Sequence, residues 1–371
     1  MLRGVSLVAS EFLSRPGAVP GVGVDAAVAS HYGNPMTEQR MLAAGESVVD
    51  LSHRAVLTIT GPDRLSWLDS LTSQSLKDLQ PGQSSETLLL DPTGHLDYAV
   101  RLFDDGVSAW LLLERDESTG LLAWLDRMRF MLRVELANRS ADFATIGTLG
   151  AAAIEPAAPN GIELIWRDPW VAVTAGGHQY AAVTGHPAAQ WTYSEILVPR
   201  ASTVPGKASG FLALEALRIA AWRPRFATEV DEKTIPHELD WLRSAVHLNK
   251  GCYRGQETVA KVHNLGHPPR RLVLLHLDGS DSVLPNPGDE VFVGDAAGSQ
   301  KAVGFVTSSA QHFELGPIAL AVIKRTTAPD AALTVHCEST IVAAAQEIIV
   351  PTDAGAEANV PRLPRLGAVQ R

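Results

Sequence analysis

SETLLLDPTGHLDYAVRLFDDGVSAWLLLE, residues 85–114, holds three apolar runs separated by DPTG at 91–94 and DDG at 104–106. Clusters of Asp, Pro and Gly are typical of tight turns, because these residues adopt the turn conformations at low cost. Short apolar runs between such turns predict three successive antiparallel strands. This segment therefore decides that the first half of the chain is built on an antiparallel sheet.

The flanking segments add a strand and a helix on each side. AVLTITG (55–61) alternates as a strand does, and leucines then recur at three-residue steps along PDRLSWLDSL (62–71), which predicts a helix. Downstream, apolar residues at helical spacing over 121–132 precede a strand in RVELANRS (133–140). The order β-α-β-β-β-α-β predicts an α+β fold with its helices packed on one face of the sheet.

The rest of the chain divides by its residue patterns. Residues 40–150 form the first α+β subdomain, and 151–270 a second one with a hairpin in IELIWRDPWVAVTA (162–175) and a helix over Phe211–Ala221. Short strands separated by Gly and Pro over 271–350 predict a small β-barrel or sandwich. Residues 1–39 are rich in Gly, Pro and Ala and are expected to form a partly ordered arm, and 351–371 a loose tail.

Composition limits the partners. The net charge is -10, which repels a phosphate backbone, so direct nucleic-acid binding is not expected. No apolar run approaches the roughly 18 residues that a membrane span needs. We therefore expect a cytoplasmic protein with no membrane partner.

The chain has few candidate metal ligands. Cys252 and Cys337 are its two cysteines, and a structural zinc site or an iron-sulfur cluster usually needs more thiolates. His263 and His267 are four residues apart, but Gly266 and Pro268 disfavour the helix that would bring both to one metal. We predict no metal site.

KGCYRGQE, residues 250–257, sets Cys252 between Lys250 and Arg254. Two nearby cations would stabilise the reactive thiolate. Glycines on both sides allow a positive φ and the close approach of a ligand. The alternative is a buried cysteine that packs as a small apolar residue while the two cations face water. The local residues leave both readings open.

The same eight residues resemble the K-G-C-Y-x-G-Q-E signature of the YgfZ-type folate-binding proteins of iron-sulfur enzyme maturation, which are relatives of the glycine-cleavage T-protein, an aminomethyltransferase. HYGNPMTEQRMLAAGESVVDLSH (31–53) and LRIAAWRP (217–224) resemble further segments of that family. The likeness covers about 40–350. It implies a T-protein-like α+β fold, with two α+β subdomains and a C-terminal β-barrel around a central channel for tetrahydrofolate or a derivative.

The resemblance also implies site residues. Cys252, Lys250 and Asp97 would carry any chemistry, and the residues implied to bind folate are Arg54, Arg218, Trp222, Tyr253, Gln256 and Glu257. Tyr253, Gln256 and Glu257 would orient the motif loop by hydrogen bonding.

Three departures concern the chemistry. Ala220 replaces the family's glutamate, which removes a charged acceptor from a pterin site at a cost of about 1.5–3 kcal/mol. Trp222 stands at a family glycine and could stack on a ligand or fill the pocket. Tyr98 replaces the second of two family aspartates. These changes argue against aminomethyl transfer.

Two functions follow as hypotheses. The first is a folate-binding accessory protein that supports assembly or repair of iron-sulfur enzymes, among them enzymes of tRNA modification, with reduced folate and iron-sulfur clients or assembly proteins as partners. The second is a folate-dependent one-carbon transferase with Asp97 as acid or base and Cys252 as nucleophile.

Overall fold

The computed structural model describes residues 10–150, 154–294, 301–338 and 340–358. Its helices are α1 Pro35–Ala43, α2 Arg64–Leu71, α3 Ser118–Met128, α4 Phe211–Ala220, α5 Phe226–Glu229, α6 Leu242–Ala245 and α7 Gln256–Leu265. Its strands are β1 Val19–Pro20, β2 Ala29–His31, β3 Ser47–Asp50, β4 Ala55–Thr60, β5 Ser84–Leu90, β6 Leu96–Asp104, β7 Ser108–Leu113, β8 Glu135–Asn138, β9 Phe143–Leu149, β10 Ile165–Arg167, β11 Tyr193–Pro199, β12 Lys207–Ser209, β13 Arg270–Leu277, β14 Glu290–Val293, β15 Gly304–His312, β16 Gly316–Lys324, β17 Leu333–Cys337 and β18 Thr340–Ile348.

The first sheet has the order β5-β6-β7-β4-β8 and is antiparallel throughout. It confirms the predicted β-α-β-β-β-α-β module, including the two turns between β5, β6 and β7. Leu68 of α2 and Leu121 and Leu125 of α3 are buried in one apolar cluster with the sheet. Both helices therefore cover the same face, as the helical spacing of their leucines indicates.

The second sheet has the order β10-β11-β9-β3-β12 and takes strands from both sides of residue 150. The hairpin predicted over 162–175 is wrong. Its first half is β10, but β10 pairs with the distant β11, and Pro169–Val171 form a 3₁₀ turn. Asp168 caps that turn by accepting the N–H of Trp170, so local capping and the Pro169 ring replace the second strand.

Strands β13–β18 close into a barrel in the order β13-β16-β15-β14-β17-β18. Its interior is aliphatic, with Val273, Leu275 and Val291 among the fully buried residues. Helix α4 begins where the predicted helix begins and ends one residue earlier, and most of its side chains are buried. Its Arg218 donates to Ser308 of β15, which ties the helix to the barrel.

Both ends of the described chain contain ordered segments. Residues 10–39 include the β1/β2 pair and the start of α1, not only irregular structure. Residues 351–358 pack on the end of α7, where Glu357 N donates to the His263 carbonyl at 2.9 Å. These bonds satisfy carbonyls that the last turn of a helix leaves without partners. Pro361 and Pro364 lie outside the described residues. Among the described helices, none has both the length and the apolar character to cross a bilayer.

Candidate functional site: a charged central cavity and the cysteine motif

A cavity lies where the two sheets meet the end of α4. Its free space is about 50 Å³, which is room for a few water molecules. Tryptophans 166, 191 and 241 form aromatic walls, and Phe226 and Arg101, both partly exposed, stand at the mouth. The charged side chains of the lining are Arg54, Arg101, Arg218, Arg223, Arg225, Glu86, Glu114, Asp168 and Glu215.

Three arginines pair with the carboxylates of the cavity wall. One lies in α4, and the other two lie in the segment that follows this helix. Arg218 pairs with Glu215 and Glu229 at 2.8 Å each. Arg223 bridges Glu86 at 2.5 Å and Asp168 at 2.9 Å, so it joins the first sheet to the turn after β10. Buried charges persist only when paired and hydrogen-bonded, so this network holds the cavity walls in one arrangement.

Arg225 makes four side-chain hydrogen bonds, all of them to carboxylates. It donates twice to Asp25, at 2.8 and 2.9 Å, and twice to Glu114, at 2.9 and 3.0 Å. Burial opposes ionisation of Glu114, but Arg225 and Arg54 outweigh it and hold the pKa of Glu114 well below its ordinary value. Arg225 therefore joins the N-terminal segment, the first sheet and α5.

Arg54 and Arg218 line the cavity, where the resemblance implies folate. Arg54 pairs with the fully buried Glu195 at 2.5 Å, and Glu195 also accepts from the Tyr193 hydroxyl at 3.0 Å. Arg101 approaches the other Glu195 oxygen at 3.4 Å without hydrogen-bond geometry. The Arg54 guanidinium, which the resemblance assigns to folate binding, is thus held by Glu195, a carboxylate of the second sheet.

Besides Arg101 Nε, three buried donors of the lining lack a hydrogen-bond partner among the described residues. They are the indole N–H of Trp241, Nη1 of Arg223 and Nε of Arg54. The three residues are 1%, 5% and 5% exposed. An unsatisfied buried donor costs about 1–3 kcal/mol, so their presence in a cavity wall favours a ligand that supplies acceptors.

Trp222 is buried in the protein interior, a placement that favours packing over stacking on a ligand. It follows α4 with φ 58°, the left-handed conformation in which glycine is favoured after a helix. Arg223 N closes back on the Arg218 carbonyl at 3.1 Å, as helix ends of this type do. The Trp222 ring is 2% exposed and lies edge-on to His186, with 5.0 Å between centroids. Trp222 is not among the residues that line the cavity.

Lys250 is committed to the backbone. Its Nζ donates to the carbonyls of Asp69, Thr72 and Gln74 at 2.5–2.8 Å, and its side chain is 3% exposed. Burial lowers the pKa of Lys250, and Asp69 opposes that shift. The ammonium therefore satisfies carbonyls in the last turn of α2 and just after it, a role that the sequence pattern did not suggest.

Arg254 and Asp97 form the second contact of the motif. Arg254 Nη1 lies 3.2 Å from Asp97 Oδ2, and both side chains are about a third exposed. Burial raises the pKa of Asp97, and Arg254 opposes that shift. The structure thus brings Asp97 to the motif, as the resemblance implies, but separates it from the lining of the central cavity.

Cys252 is exposed, so the alternative of a buried structural cysteine at this position is wrong. Cys337 is buried in the barrel, where burial raises the pKa of its thiol to about 11. Lys250 donates to backbone carbonyls and Arg254 donates to Asp97, so both cations are engaged by groups other than the Cys252 thiol.

The end of the motif is a helix, not the loop that was expected. Gln256 and Glu257 open α7, and an exposed Glu257 suits the first turn of a helix. Tyr253 and Gln256 line a separate groove of about 250 Å³ beside α7. His263 lies in α7, but His267 is beyond its end and contacts the Ala354 carbonyl at 2.8 Å. Within the described ranges, no three potential ligand side chains cluster around a metal position.

Of the two motif glycines, only Gly255 has a positive φ, at 81°. A Cβ there would lie 2.7 Å from the Asp91 carbonyl oxygen and 2.8 Å from the Leu90 Cβ. We expect Gly255→Ala to lower the free energy of unfolding by about 2–3 kcal/mol, since left-handed strain and a backbone clash add. Urea unfolding measures this loss. Gly251→Ala is the control, because a Cβ there meets nothing within 4 Å. Equal stability of both variants would contradict the contact with the 91–94 turn.

Asp240, next to Trp241, gives a pH-dependent prediction. It is fully buried, and burial raises its pKa to about 7 although the Tyr180 N–H donates to it at 2.7 Å. The folded state therefore binds a proton that the unfolded state releases near pH 4, so this residue's contribution to stability falls between pH 4 and 7. Asparagine does not titrate in this range, so Asp240→Asn removes the fall in stability with pH. Asparagine also tolerates the left-handed φ of 54° at this position.

We expect Asp240→Asn to gain about 2 kcal/mol over the wild type as the pH rises from 5 to 8, by urea unfolding at each pH. Asp126→Asn, at an exposed position, is the control. A pH profile of Asp240→Asn that runs parallel to that of the wild type would refute the raised pKa.

Reasoning from sequence missed Arg223, Arg225, Glu86, Asp168 and Trp241. A signal for the arginines was present: RIAAWRPRF (218–226) places three of them in an otherwise apolar stretch, where charged residues are usually buried only with partners. The carboxylates offered no comparable signal, because they come from separate strands and turns.

The chain is similar to aminomethyltransferases. It is 27% identical over 310 residues to that of Nostoc sp., covering 76% of this chain and 77% of the relative. It is 25% identical over 297 residues to a chloroplastic protein of Arabidopsis thaliana provisionally named a transferase, covering 74% of this chain and 65% of that protein. No model of a known protein family matches the chain.

The crystal structure of the glycine cleavage system aminomethyltransferase T from Bartonella henselae superposes with a TM-score of 0.67 at 15% identity. The match covers 92% of this chain and 96% of the other. Together with the closed six-stranded barrel, this confirms the predicted architecture: the chain has the α+β fold of the glycine-cleavage T-protein.

Proposed function

We propose that the protein binds a reduced folate in the central cavity and acts as an accessory protein in the assembly or repair of iron-sulfur enzymes. The observation that carries the folate part is the composition of the cavity wall. It combines three tryptophans with paired carboxylates and with buried donors that lack hydrogen-bond partners. A flat heterocycle with both donor and acceptor edges suits such a wall.

The chemistry of the lining fits tetrahydrofolate, but the free space is smaller than a pteridine ring. Carboxylates such as Glu86 and Asp168 keep lone pairs for ring N–H groups, and Trp166 and Trp191 offer ring faces. Entry therefore requires side chains at the partly exposed mouth, Phe226 and Arg101, to move outward. When bound, the folate would supply a carrier for one-carbon groups, and the residues named here would hold and orient it.

The accessory role is supported by the motif and by the exposed Cys252 thiol. With Cys337 buried, the described chain offers one accessible thiol, too few to hold a cluster alone, so the thiol would act on or with an iron-sulfur client or assembly protein. Its setting would be the cytoplasm, and tRNA-modifying enzymes would be among the clients.

A second candidate is folate-dependent one-carbon transfer. Two observations favour it: the named relatives include aminomethyltransferases, and burial raises the pKa of Asp97, the residue assigned as acid or base. The loss of the family glutamate at Ala220 weighs against it.

A paired assay separates the two functions. The accessory role predicts that Cys252→Ser fails to restore an iron-sulfur enzyme in cells lacking the protein, while Cys337→Ser restores it. It also predicts no consumption of methylene-tetrahydrofolate by the purified protein. Turnover that depends on Asp97 would establish the transferase, and full restoration by Cys252→Ser would refute the role of the thiol.

A further inference from the structure

We propose that Arg223 and Trp241 recognise the ring carbonyl of a 4-oxopterin, so that the cavity selects the cyclic-amide form of the ligand over a 4-amino form. This inference rests on the proposed folate function and adds the ligand edge that is read, the residues that read it and a specificity that follows.

The two unpartnered groups, Arg223 Nη1 and the Trp241 indole N–H, are both hydrogen-bond donors. Indole N–H and guanidinium N–H groups donate and cannot accept, whatever their orientation. Trp241 is 1% exposed and Arg223 5%, so bulk water does not reach these groups freely. A ligand atom that meets them has to be an acceptor, because a second donor would leave both sides unsatisfied.

The two donors belong to one region of the cavity wall. The Arg223 guanidinium carbon lies 5.8 Å from the centroid of the Trp241 ring. Nε and Nη2 of Arg223 are held by Asp168 and Glu86, which leaves Nη1 as the nitrogen without a partner. The two carboxylates fix the plane of the guanidinium, so its remaining N–H groups are presented in a defined direction.

A carboxylate, Glu86, lies beside these donors. Glu86 accepts from Arg223 and from the Ser244 hydroxyl, one bond to each oxygen, and so retains acceptor capacity. A carbonyl acceptor for Arg223 and Trp241 next to an N–H donor for a carboxylate is the hydrogen-bonding pattern of a cyclic amide. The 4-oxo and N3–H groups of a pterin have this pattern, whereas a 4-amino pteridine places a donor at the carbonyl position.

The resemblance of LRIAAWRP (217–224) to the family places Ala220 where the family has a glutamate. The loss of that acceptor weakens recognition through the donor edge of the ring. Arg223 lies three residues after Ala220 in the same segment and supplies a donor for the acceptor edge of the ring.

Calorimetric titration tests this with a matched ligand pair, tetrahydrofolate and tetrahydroaminopterin, which differ at the 4-position. We expect the wild type to bind the 4-oxo form at least about tenfold more tightly, because the 4-amino form leaves buried donors facing a donor. Equal affinity for the two ligands would overturn this inference alone and leave folate binding intact. Absence of binding by either ligand would overturn the inference and the proposed function together.

A variant pair locates the selectivity. Trp241→Phe keeps an aromatic ring and removes the N–H, and we expect it to weaken tetrahydrofolate binding about fivefold to tenfold and to narrow the preference over the 4-amino form. Trp124→Phe makes the same change on α3, outside the cavity lining, and should keep the preference. The melting temperature of each variant verifies folding. Unchanged selectivity in folded Trp241→Phe would overturn the role of Trp241.

Discussion

Arg225→Met is expected to lower the free energy of unfolding by about 3–5 kcal/mol, because it leaves buried carboxylates without their cation. Arg225 makes four charged hydrogen bonds to Asp25 and Glu114 and is 4% exposed in its side chain. Methionine has a similar length and apolar stem, so the loss reports the charge and its bonds. Urea unfolding at pH 7 measures it.

The same variant should respond differently to acid. Arg225 holds the pKa of Glu114 below its ordinary value, so the stability from this pair is present above about pH 4 and is lost as the pH falls through the folded-state pKa. The difference between wild type and Arg225→Met should therefore shrink in acid. Arg129→Met, at an exposed pair with Asp126, is the control and should cost less than about 1 kcal/mol. A loss at Arg225 as small as at Arg129 would contradict the buried network.

Lys250→Met is expected to cost about 2–4 kcal/mol of unfolding free energy, although Lys250 stands in the motif proposed for function. Its ammonium bonds three backbone carbonyls, and their loss leaves buried acceptors unsatisfied. The rate at which iodoacetamide alkylates Cys252 in the folded variant should stay within about twofold of the wild type, since the Lys250 ammonium is bonded to carbonyls and lies beside Asp69.

Lys77→Met is the matched control, because Lys77 is exposed in the connection that Lys250 bonds, and it should leave stability unchanged. A stable Lys250→Met protein with a strongly slowed alkylation would contradict this assignment. In that case the lysine would act on the thiol, as the sequence pattern alone suggested, and not on the backbone.

The parts of the fold that were predictable are those fixed by local chemistry. The turns DPTG and DDG and the period of the apolar residues determine the first sheet and its two helices. The failed hairpin at 162–175 shows the limit. Both halves are apolar, but Pro169 and the cap from Asp168 end the strand, and the partner β11 lies about thirty residues further on.

The central cavity was less predictable, because its charges pair across long distances in sequence. Arg225 and Asp25 are 200 residues apart, and Arg223 and Glu86 are 137 apart. The resemblance pointed to Arg54 and Arg218, since Arg218 lies in a segment that resembles the family and Arg54 directly follows another. It could not assign Trp222 a place, because the choice between ring stacking and packing depends on the left-handed backbone after α4.

The central claim is that folate occupies the central cavity. Titration of tetrahydrofolate into a variant whose cavity opening is filled tests this directly. Ala99 lines the cavity and is partly exposed, so Ala99→Trp would fill the opening, whereas Val107→Trp adds the same indole to an exposed hairpin turn. We predict that the wild type and Val107→Trp bind tetrahydrofolate and that a folded Ala99→Trp does not. Binding of equal strength by all three proteins, or by none, would contradict the account.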